Sequence, residues 1–235
     1  MEYNYVNLFI LFFIYSVLGY IVESISVSMI EGKVVWSRGF LIGPYIPIFG
    51  TGSILMVLIL KKYYGDIFAL FIMSMIVCLT LEYLTSYIGE KLFHLRWWNY
   101  SDKKFNINGR ICLENGILFG VAGIFIIRYV NSFFEGLIMR MSPHTALVVA
   151  IILSVIFYTD FLISLRTVIK FNGSFNKYAK DNTSEVKNKI IADLKENGFL
   201  IKRLLRSFPN ANDSREHFAK MRENFIKKIN ESKNK

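Results

Sequence analysis

Three long stretches of the chain contain no Asp, Glu, Lys or Arg: Tyr3–Val22, Gly39–Leu60 and Met141–Thr159. A helix needs about 20 apolar residues to cross the hydrocarbon core of a bilayer. A soluble domain of this length would have to bury all three stretches in one small core, which excludes that class of fold. The pattern therefore predicts an all-α, polytopic transmembrane protein.

When each apolar stretch is extended to its polar borders, the sequence predicts a bundle of about five membrane-spanning helices. They cover Val6–Ile30, Ile48–Leu60, Asp66–Leu92, Ile111–Ile127 and Pro143–Ile169. The short mixed stretch Phe133–Met141 is expected to form an interfacial turn before the last helix. The first segment has no basic residue before it and no small-residue cleavage site after it. We therefore expect it to remain in the mature protein as a span.

The segment Gly39–Gly52 interrupts this regular pattern because it contains four glycines and two prolines. Proline removes a helical hydrogen bond, and glycine adds backbone entropy. Non-helical backbone at membrane depth is tolerated only where protein or a watery cavity surrounds it. We predict a tight or re-entrant turn over Gly39–Pro47. Its hinge or motif positions are Gly39, Gly43, Pro44, Pro47 and Gly50.

Charge is concentrated at the end of the chain, since residues 170–235 hold 16 Lys and Arg against 8 Asp and Glu. We therefore divide the chain into a transmembrane helical domain, 1–169, and a basic tail, 170–235. Capping-box-like starts at Asn182 and Asp213 predict two amphipathic helices in this tail. They could lie on the anionic cytoplasmic leaflet or remain solvated. A tail tethered to the bilayer makes nucleic-acid binding improbable, so no nucleic-acid partner is predicted.

Basic residues in the connecting loops predict the orientation in the cell membrane. With five spans, seven of them share a side with the tail: Lys33, Arg38, Lys91, Arg96, Lys103, Lys104 and Arg110. The opposite side has four: Lys61, Lys62, Arg128 and Arg140. Positively charged loops stay cytoplasmic. This distribution places the N-terminus outside and the tail in the cytoplasm.

Polar residues in or beside the spans are the candidates for chemistry, because charge at membrane depth is costly and marks function or ion pairing. Glu82, Ser86 and Glu90 recur every four residues and share one helix face. Arg110 and Glu114 have the same spacing and could pair. The candidate substrate- or ion-pathway residues are Glu23, Arg38, Glu82, Ser86, Glu90, Asn106, Asn108, Arg110 and Glu114. Structural ion pairs that fix helix registry remain an equal alternative.

Two further features concern the third loop and the last span. Trp97, Trp98 and Tyr100 resemble an interfacial aromatic belt, while the run from Asn106 through Gly109 to Arg110 could bind an anionic group. In the last span, the hydroxyls of Tyr158 and Ser164 are expected to satisfy Asp160 locally.

The sequence predicts no metal site and no cofactor. Cys78 and Cys112 are too few and too widely spaced for a zinc site. His94 has no second ligand at metal-binding spacing. The chain contains no phosphate-binding GxxxxGK[ST] loop, so any ATP-driven motor is expected to be a separate subunit.

Three stretches carry a family resemblance: YSVLGYIVE (15–23), RGFLIGPYIPIFGTG (38–52) and EYLTSYIGEKLFHLRWWNYSDKKFNINGRICLENG (82–116). Together they resemble the putative ABC-transporter type IV, or CmpB-like, permease family over about residues 5–165, and LLRSFPN in the tail is similar as well. The resemblance implies a membrane permease that works with a separate ATPase. It marks as motif positions Glu23, Arg38, Gly39, Gly43, Pro44, Pro47, Gly50, Glu82, Glu90, Trp98, Tyr100, Asn106, Gly109 and Arg110.

The preferred hypothesis is a transporter component with a polar centre lined by carboxylates and Arg near the cytoplasmic side. Five spans are few for a complete pathway, so we expect a homo- or hetero-oligomer in contact with membrane lipid. One alternative is an intramembrane enzyme acting on a lipid-type substrate, although no catalytic residue is predicted. Another is a membrane scaffold or sensor that uses the basic tail.

Overall fold

A computed structural model describes residues 4–36, 39–93, 97–180 and Leu200 of the chain. Its helices are α1 (Tyr5–Glu31), α2 (Pro47–Leu60), α3 (Ile67–Phe93), α4 (Leu113–Phe125), α5 (Asn131–Met139) and α6 (Pro143–Lys180). A 3₁₀ turn, Lys61–Tyr63, follows α2, and a π-helical stretch, Ile126–Val130, joins α4 to α5. Two short strands, β1 (Asn106–Ile107) and β2 (Ile111–Cys112), pair antiparallel. The predicted all-α helical membrane fold is confirmed.

Four helical stretches in the described part of the chain are long and apolar enough to cross a membrane. They are Tyr5–Ile30, Ile67–Leu92, Leu113–Met139 and Pro143–Lys170. The sequence predicted about five spans. The difference lies in the second segment, where α2 has only 14 residues. At about 1.5 Å per residue it extends roughly 21 Å, less than the ~30 Å hydrocarbon core.

The stretch predicted to be an interfacial turn, Phe133–Met141, is largely helical instead. Residues 113–139 form one continuous helical rod, because the π-helical stretch Ile126–Val130 joins α4 to α5 without ending the helix. A π-helical turn inserts an extra residue while keeping backbone hydrogen bonds. The mixed composition of this region therefore marks a change in helical geometry.

Helix α1 has recognisable boundaries in the sequence. The side chain of Asn4 accepts a hydrogen bond from the Val6 N–H at 3.2 Å, which caps the first turn. The helix ends where Gly32 adopts a left-handed conformation with φ of 64°. Between these residues the apolar run is uninterrupted as far as Glu23. The predicted first segment is thus an α-helix of 27 residues.

Helix α2 runs antiparallel to the first half of α1. Phe49 of α2 packs on Gly19 of α1, and Gly50, the next residue, packs against Ser16 and Phe12, which lie earlier on α1. Pro47 occupies the first turn, where its missing N–H costs nothing. The chain therefore enters the bundle after α1 as non-helical backbone and leaves it as α2.

The position of this non-helical segment can be measured along α1. The Ile46 N–H donates to the Ser16 carbonyl at 2.9 Å. Ser16 lies near the middle of the apolar stretch Tyr5–Ile30, roughly 16–21 Å from either end at about 1.5 Å per residue. We refer to residues 39–60 as the broken crossing, because non-helical backbone precedes α2 and meets α1 near the middle of its apolar stretch.

Small residues bring α4 close to α3. Gly116, Gly120 and Gly123 are buried, and each lies against side chains of α3. Their nearest neighbours there include Met75, Phe71 and Ser74, respectively. Small residues allow helix backbones to approach closely in membranes. Glycine at these three positions therefore lets α4 lie directly against α3.

The fold divides into two compact units. The first comprises Met1–Thr85 with Tyr100–Ser164, and the second comprises Ser86–Asn99 with Leu165–Lys235. In the second unit, Gly89 packs against the ring of Trp97, which stacks on Trp98 with ring centroids 6.3 Å apart. The two amphipathic helices predicted in the tail, together with Arg38 and His94, lie outside the described residues.

Gly50→Ala should destabilise the packing of α2 on α1. An added Cβ would lie 2.5 Å from the Phe12 carbonyl oxygen, a backbone atom that cannot rotate away, and closer still to Ser16 Oγ. Overpacking of this kind costs about 1–3 kcal/mol. Thermal denaturation in detergent should therefore show a lower midpoint. Gly136→Ala is the matched control, since nothing lies within 4 Å of its Cβ position. Equal midpoints for the two variants would contradict the close packing.

Candidate functional site

Asp160 of α6 holds the non-helical half of the broken crossing. Its Oδ1 accepts a hydrogen bond from the Ile42 N–H at 2.8 Å. Its Oδ2 accepts from the Gly43 N–H at 2.7 Å and from the Tyr45 hydroxyl at 2.6 Å. Ser164, one turn later on α6, donates to Oδ1 at 3.0 Å. Four donors thus surround one buried carboxylate.

The sequence Gly43-Pro44-Tyr45 forms the turn that makes this arrangement possible. The Tyr45 N–H donates back to the Gly43 carbonyl at 2.9 Å, which closes a tight turn around Pro44. A Cβ on Gly43 would overlap the Tyr45 ring, so only glycine fits beneath it. The ring therefore folds over Gly43 and directs its hydroxyl toward Asp160. The glycine and proline motif predicted from the sequence acts here as a turn.

The partners of Asp160 differ from those that the sequence predicted. Ser164 is confirmed as a donor, but Tyr158 is 60% exposed and packs edge-on against Phe157. The other three donors come from a segment more than 110 residues away in the chain. The sequence predicted partners for Asp160 on its own helix because helical spacing can be identified in a sequence. The fold of a Gly/Pro-rich segment cannot be identified in this way.

Glu82 of α3 is the centre of a second polar group in the first unit. It is only 6% exposed, and its Oε1 accepts a hydrogen bond from the Tyr100 hydroxyl at 3.0 Å. Asn115 of α4 lies beside the same carboxylate. Oε2 is buried and receives no hydrogen bond from the described residues. We call Glu23, Glu82, Tyr100 and Asn115 the carboxylate site.

Glu23 of α1 brings a second negative charge to the carboxylate site. It is half-buried and close enough to Glu82 for the two carboxylates to interact electrostatically. Lys61 pairs with Glu135 and Lys103 pairs with Glu114, and neither of these two ion pairs involves Glu23 or Glu82. The site therefore combines two acids from different helices without a neighbouring cation in the described part of the chain.

Tyr100 lies in the loop before β1, and the backbone fixes its position. Its N–H donates to the Gly109 carbonyl at 2.8 Å, which ties it to the hairpin turn. Burial and, next, the Glu82 carboxylate raise the pKa of the Tyr100 hydroxyl. The hydroxyl consequently stays protonated at neutral pH and remains a hydrogen-bond donor. Tyr100 was predicted as a motif residue, and its partner Glu82 as a pathway residue.

The two asparagines predicted to bind an anion are engaged in the loop itself. Asn106 accepts from the Gly109 N–H at 3.0 Å and donates to the Lys103 carbonyl at 2.8 Å. Asn108 donates to the Tyr83 hydroxyl at 3.0 Å. Asn108 and Gly109 both have positive φ, 53° and 65°, as a tight hairpin turn requires. Their side chains and backbone thus organise the loop around Tyr100.

The predicted pairing of Arg110 with Glu114 does not form. Helix α4 begins at Leu113, so Arg110 precedes it and does not share a helix face with Glu114. Arg110 is buried, with its guanidinium 5.8 Å from the Tyr83 ring centroid. Glu114 instead pairs with Lys103 at 2.8 Å, at an exposed position. This hydrogen bond raises the pKa of Lys103.

The remaining predicted residues do not join the carboxylate site. Ser86 is buried and Glu90 half-buried, but both belong to the second unit, as does Trp98. Gly39 and Pro44 belong to the non-helical half of the broken crossing, and Pro44 is exposed. Arg38 lies outside the described residues. Within those residues, no group of three or more His, Cys, Asp or Glu side chains could hold a metal ion.

A third polar network was missed by sequence reasoning. The Tyr15 hydroxyl donates to Asn131 Oδ1 at 3.1 Å, and Asn131 Nδ2 donates to Glu135 at 3.1 Å. Lys61 then pairs with Glu135 at 3.3 Å. Asn131 directly follows the π-helical stretch, a geometry often found at functional sites. The signal that the sequence offered for this network was Asn131, an amide side chain within a predominantly apolar segment.

Comparisons with known proteins give one match. A family model described as "Putative ABC-transporter type IV" matches residues 10–165, which is more than half of the chain. The match includes α1, the broken crossing, α3, α4 and the part of α6 that carries Asp160. No curated protein and no solved structure matches the chain.

Asp160→Asn should lower the stability of the folded protein. The amide keeps the volume of the carboxylate but has only one acceptor oxygen, so some of the donors that Asp160 satisfies are left without a partner. Each buried donor left unsatisfied costs about 1–3 kcal/mol. Thermal denaturation in detergent should show a clear drop, whereas Asp102→Asn, at an exposed loop position, should have no effect. If both variants unfold at the wild-type temperature, the four-donor arrangement is wrong.

Proposed function

Because the chain belongs to the family described as putative ABC-transporter type IV, we propose that it is a transporter membrane component with a solute pathway through the carboxylate site. The observation that carries this proposal is the burial of Glu82, with Glu23 and Tyr100 beside it, among helices that are apolar elsewhere. A charged side chain at membrane depth costs at least about 2.5–3.5 kcal/mol. A role in transport accounts for two carboxylates, Glu23 and Glu82, in helices that are otherwise apolar.

The position of the site suits a pathway that opens toward the tail. Glu82 lies 15 residues after Ile67 and 11 before Phe93, so it is nearer to the end of α3 that leads into the Tyr100 loop. Five crossings, one of them broken, place this loop and the tail on the same side. The excess of Lys and Arg on that side supports a cytoplasmic location in the cell membrane, with the N-terminus outside. Residues 1–169 then form the membrane domain and 170–235 a cytoplasmic tail.

The broken crossing supplies an element that could move in such a transporter. Its non-helical half is attached to α6 through Asp160 and packs on α1 through Ile46. Discontinuous segments at membrane depth form substrate and ion sites in other transporters. The remaining predicted pathway residues, Arg38, Ser86, Glu90, Asn106, Asn108, Arg110 and Glu114, stay candidates for the route from the carboxylate site to the cytoplasm.

The energy source in this proposal is a separate ATPase. The chain contains no GxxxxGK[ST] phosphate-binding loop. Four long helices and one broken crossing make a small bundle, so a second copy or another membrane subunit is also expected. Family membership supports this arrangement, because it implies a membrane subunit that works with a nucleotide-hydrolysing partner.

Glu82→Gln should abolish transport while leaving the protein in the membrane. The substitution keeps the shape of the side chain and removes its charge. The Gln carbonyl can still accept from Tyr100, but a hydrogen bond to a charged group contributes about 1.5–3 kcal/mol and a neutral one about 0.5–1.5 kcal/mol, and a difference of about 1.4 kcal/mol corresponds to a tenfold loss of flux. Solutes whose cellular content differs between a deletion strain and the wild type provide the assay. Asp102→Asn, at an exposed loop carboxylate outside the predicted pathway, is the control and should transport normally.

If Glu82→Gln transports those solutes as the wild type does, the carboxylate site is not the pathway. If the deletion changes no solute at all, the protein is not a transporter component under the conditions tested. Comparing lipid extracts from the same strains tests the alternative of a lipid-modifying enzyme, which would be favoured by a lipid difference without a solute difference.

Purification of the full-length chain in mild detergent should yield a stoichiometric ATPase. The co-purified complex should hydrolyse ATP, and this activity should disappear when the phosphate-loop lysine of the partner is replaced. A control purification of an unrelated polytopic membrane protein identifies non-specific binders. Recovery of the chain alone, with no ATPase activity in repeated preparations, would contradict an ATP-driven assembly.

A further inference from the structure

Two acids in the carboxylate site, Glu23 on α1 and Glu82 on α3, interact electrostatically, and neither forms an ion pair with another described residue. Glu23 makes no hydrogen bond or ion pair there. Glu82 accepts a hydrogen bond from the Tyr100 hydroxyl through Oε1, with the Asn115 side chain as a further neighbouring donor, and its Oε2 receives none from the described residues. Unpaired charge in the low-dielectric interior of a membrane protein is strongly unfavourable, and two like charges make it worse. The site as folded therefore needs one positive charge.

The atom in this site that lacks a hydrogen-bond donor can be identified. Oε2 of Glu82 is a buried acceptor that receives no donor from the described residues. Its neighbours are the Glu23 carboxylate on α1, the Tyr100 hydroxyl in the loop, the neutral Asn115 amide on α4 and the Cys78 thiol one turn earlier on α3. Cys112 lies near Tyr100, and Arg110 lies over the Tyr83 ring. Tyr100 already uses its hydroxyl proton on Oε1, so it cannot also supply Oε2.

A proton fits this position better than a metal ion. The monovalent and divalent cations of cells prefer about six oxygen ligands. The described residues contribute two carboxylates, one phenol and one amide, and no metal-binding group of three acidic, His or Cys side chains is found among them. A single proton needs only one oxygen. It converts Oε2 into an O–H donor and reduces the charge of the pair from −2 to −1.

We propose that the Glu23–Glu82 pair is a proton-binding site that holds one exchangeable proton, with Glu82 Oε2 as its principal position. The proton arrives from water on the tail side, and an O–H bond forms at Oε2 while Oε1 keeps its hydrogen bond from Tyr100. Its release regenerates the second carboxylate. Like-charge carboxylate pairs behave in this way because both cannot ionise together at close range.

A role for this proton in transport rests on the proposed function of the site. The presence of the proton at Oε2 does not depend on that function. Uptake and release of one proton at a pathway carboxylate would link transport to the proton gradient or change the charge of the pathway in each cycle. The occupancy of Oε2 can be measured on the purified protein without any solute. The two claims can therefore fail separately.

Infrared spectroscopy of the purified full-length chain in lipid nanodiscs tests the proton site. The wild type at neutral pH should show the carbonyl stretch of a protonated carboxyl group, which is distinct from ionised carboxylates. This band should be lost in Glu82→Gln and retained in Glu114→Gln. In Glu23→Gln it should appear only in more acidic buffer than in the wild type, because the neighbouring negative charge is gone.

Three results would overturn the proposal. The first is the absence of a protonated-carboxyl band in the wild type at neutral pH, which does not depend on how any variant folds. The second is a band that Glu82→Gln and Glu23→Gln both leave unchanged, since the proton would then belong to another residue. The third is removal of the band by added Na⁺ or K⁺ at constant pH, which would assign a metal cation to the site.

Discussion

Backbone N–H and C=O groups at membrane depth must find partners, because the hydrocarbon core offers no water and each unsatisfied group costs several kcal/mol. An uninterrupted helix meets this requirement by itself. The segment before α2 cannot, since its glycines and prolines prevent a regular helix. Asp160 resolves the conflict by accepting from two backbone N–H groups and the Tyr45 hydroxyl. The same bonds stabilise the carboxylate, whose charge would otherwise be unfavourable in α6.

This one interaction constrains much of the first unit. It fixes the non-helical segment against α6, while Ile46 attaches the same segment to α1 near Ser16. Helix α2 must then start close to mid-membrane, where Gly50 permits tight contact with α1. The three carboxylates of this region consequently have different environments. Asp160 is surrounded by four donors, whereas Glu82 has Tyr100 and Asn115 beside it and Glu23 has no donor within the described residues.

The sequence was sufficient for features that depend on local pattern. Apolar length predicted α1, α3 and α6. The Gly/Pro motif correctly indicated non-helical backbone at membrane depth. These features follow from helix periodicity and from the cost of exposing polar backbone to lipid, both of which can be evaluated one segment at a time.

Features that depend on distant residues could not be obtained in this way. Asp160 was expected to be satisfied within its own helix, because its true partners at residues 42, 43 and 45 become neighbours only in the fold. Arg110 and Glu114 were expected to pair because the start of α4 was placed two residues too early. The network of Tyr15, Asn131, Glu135 and Lys61 joins three separate segments, and the π-helical stretch beside it has no reliable sequence pattern.

Hydrogen–deuterium exchange of the wild-type chain in lipid nanodiscs tests the central claim most directly. The claim is that the backbone of residues 39–46 lies at membrane depth and is hydrogen-bonded to Asp160. The amides of Ile42 and Gly43 should then exchange as slowly as those in the middle of α1, and far more slowly than those of Lys33 and Val34 in the exposed loop after α1. Exchange of Ile42 and Gly43 at the rate of that exposed loop would contradict the account.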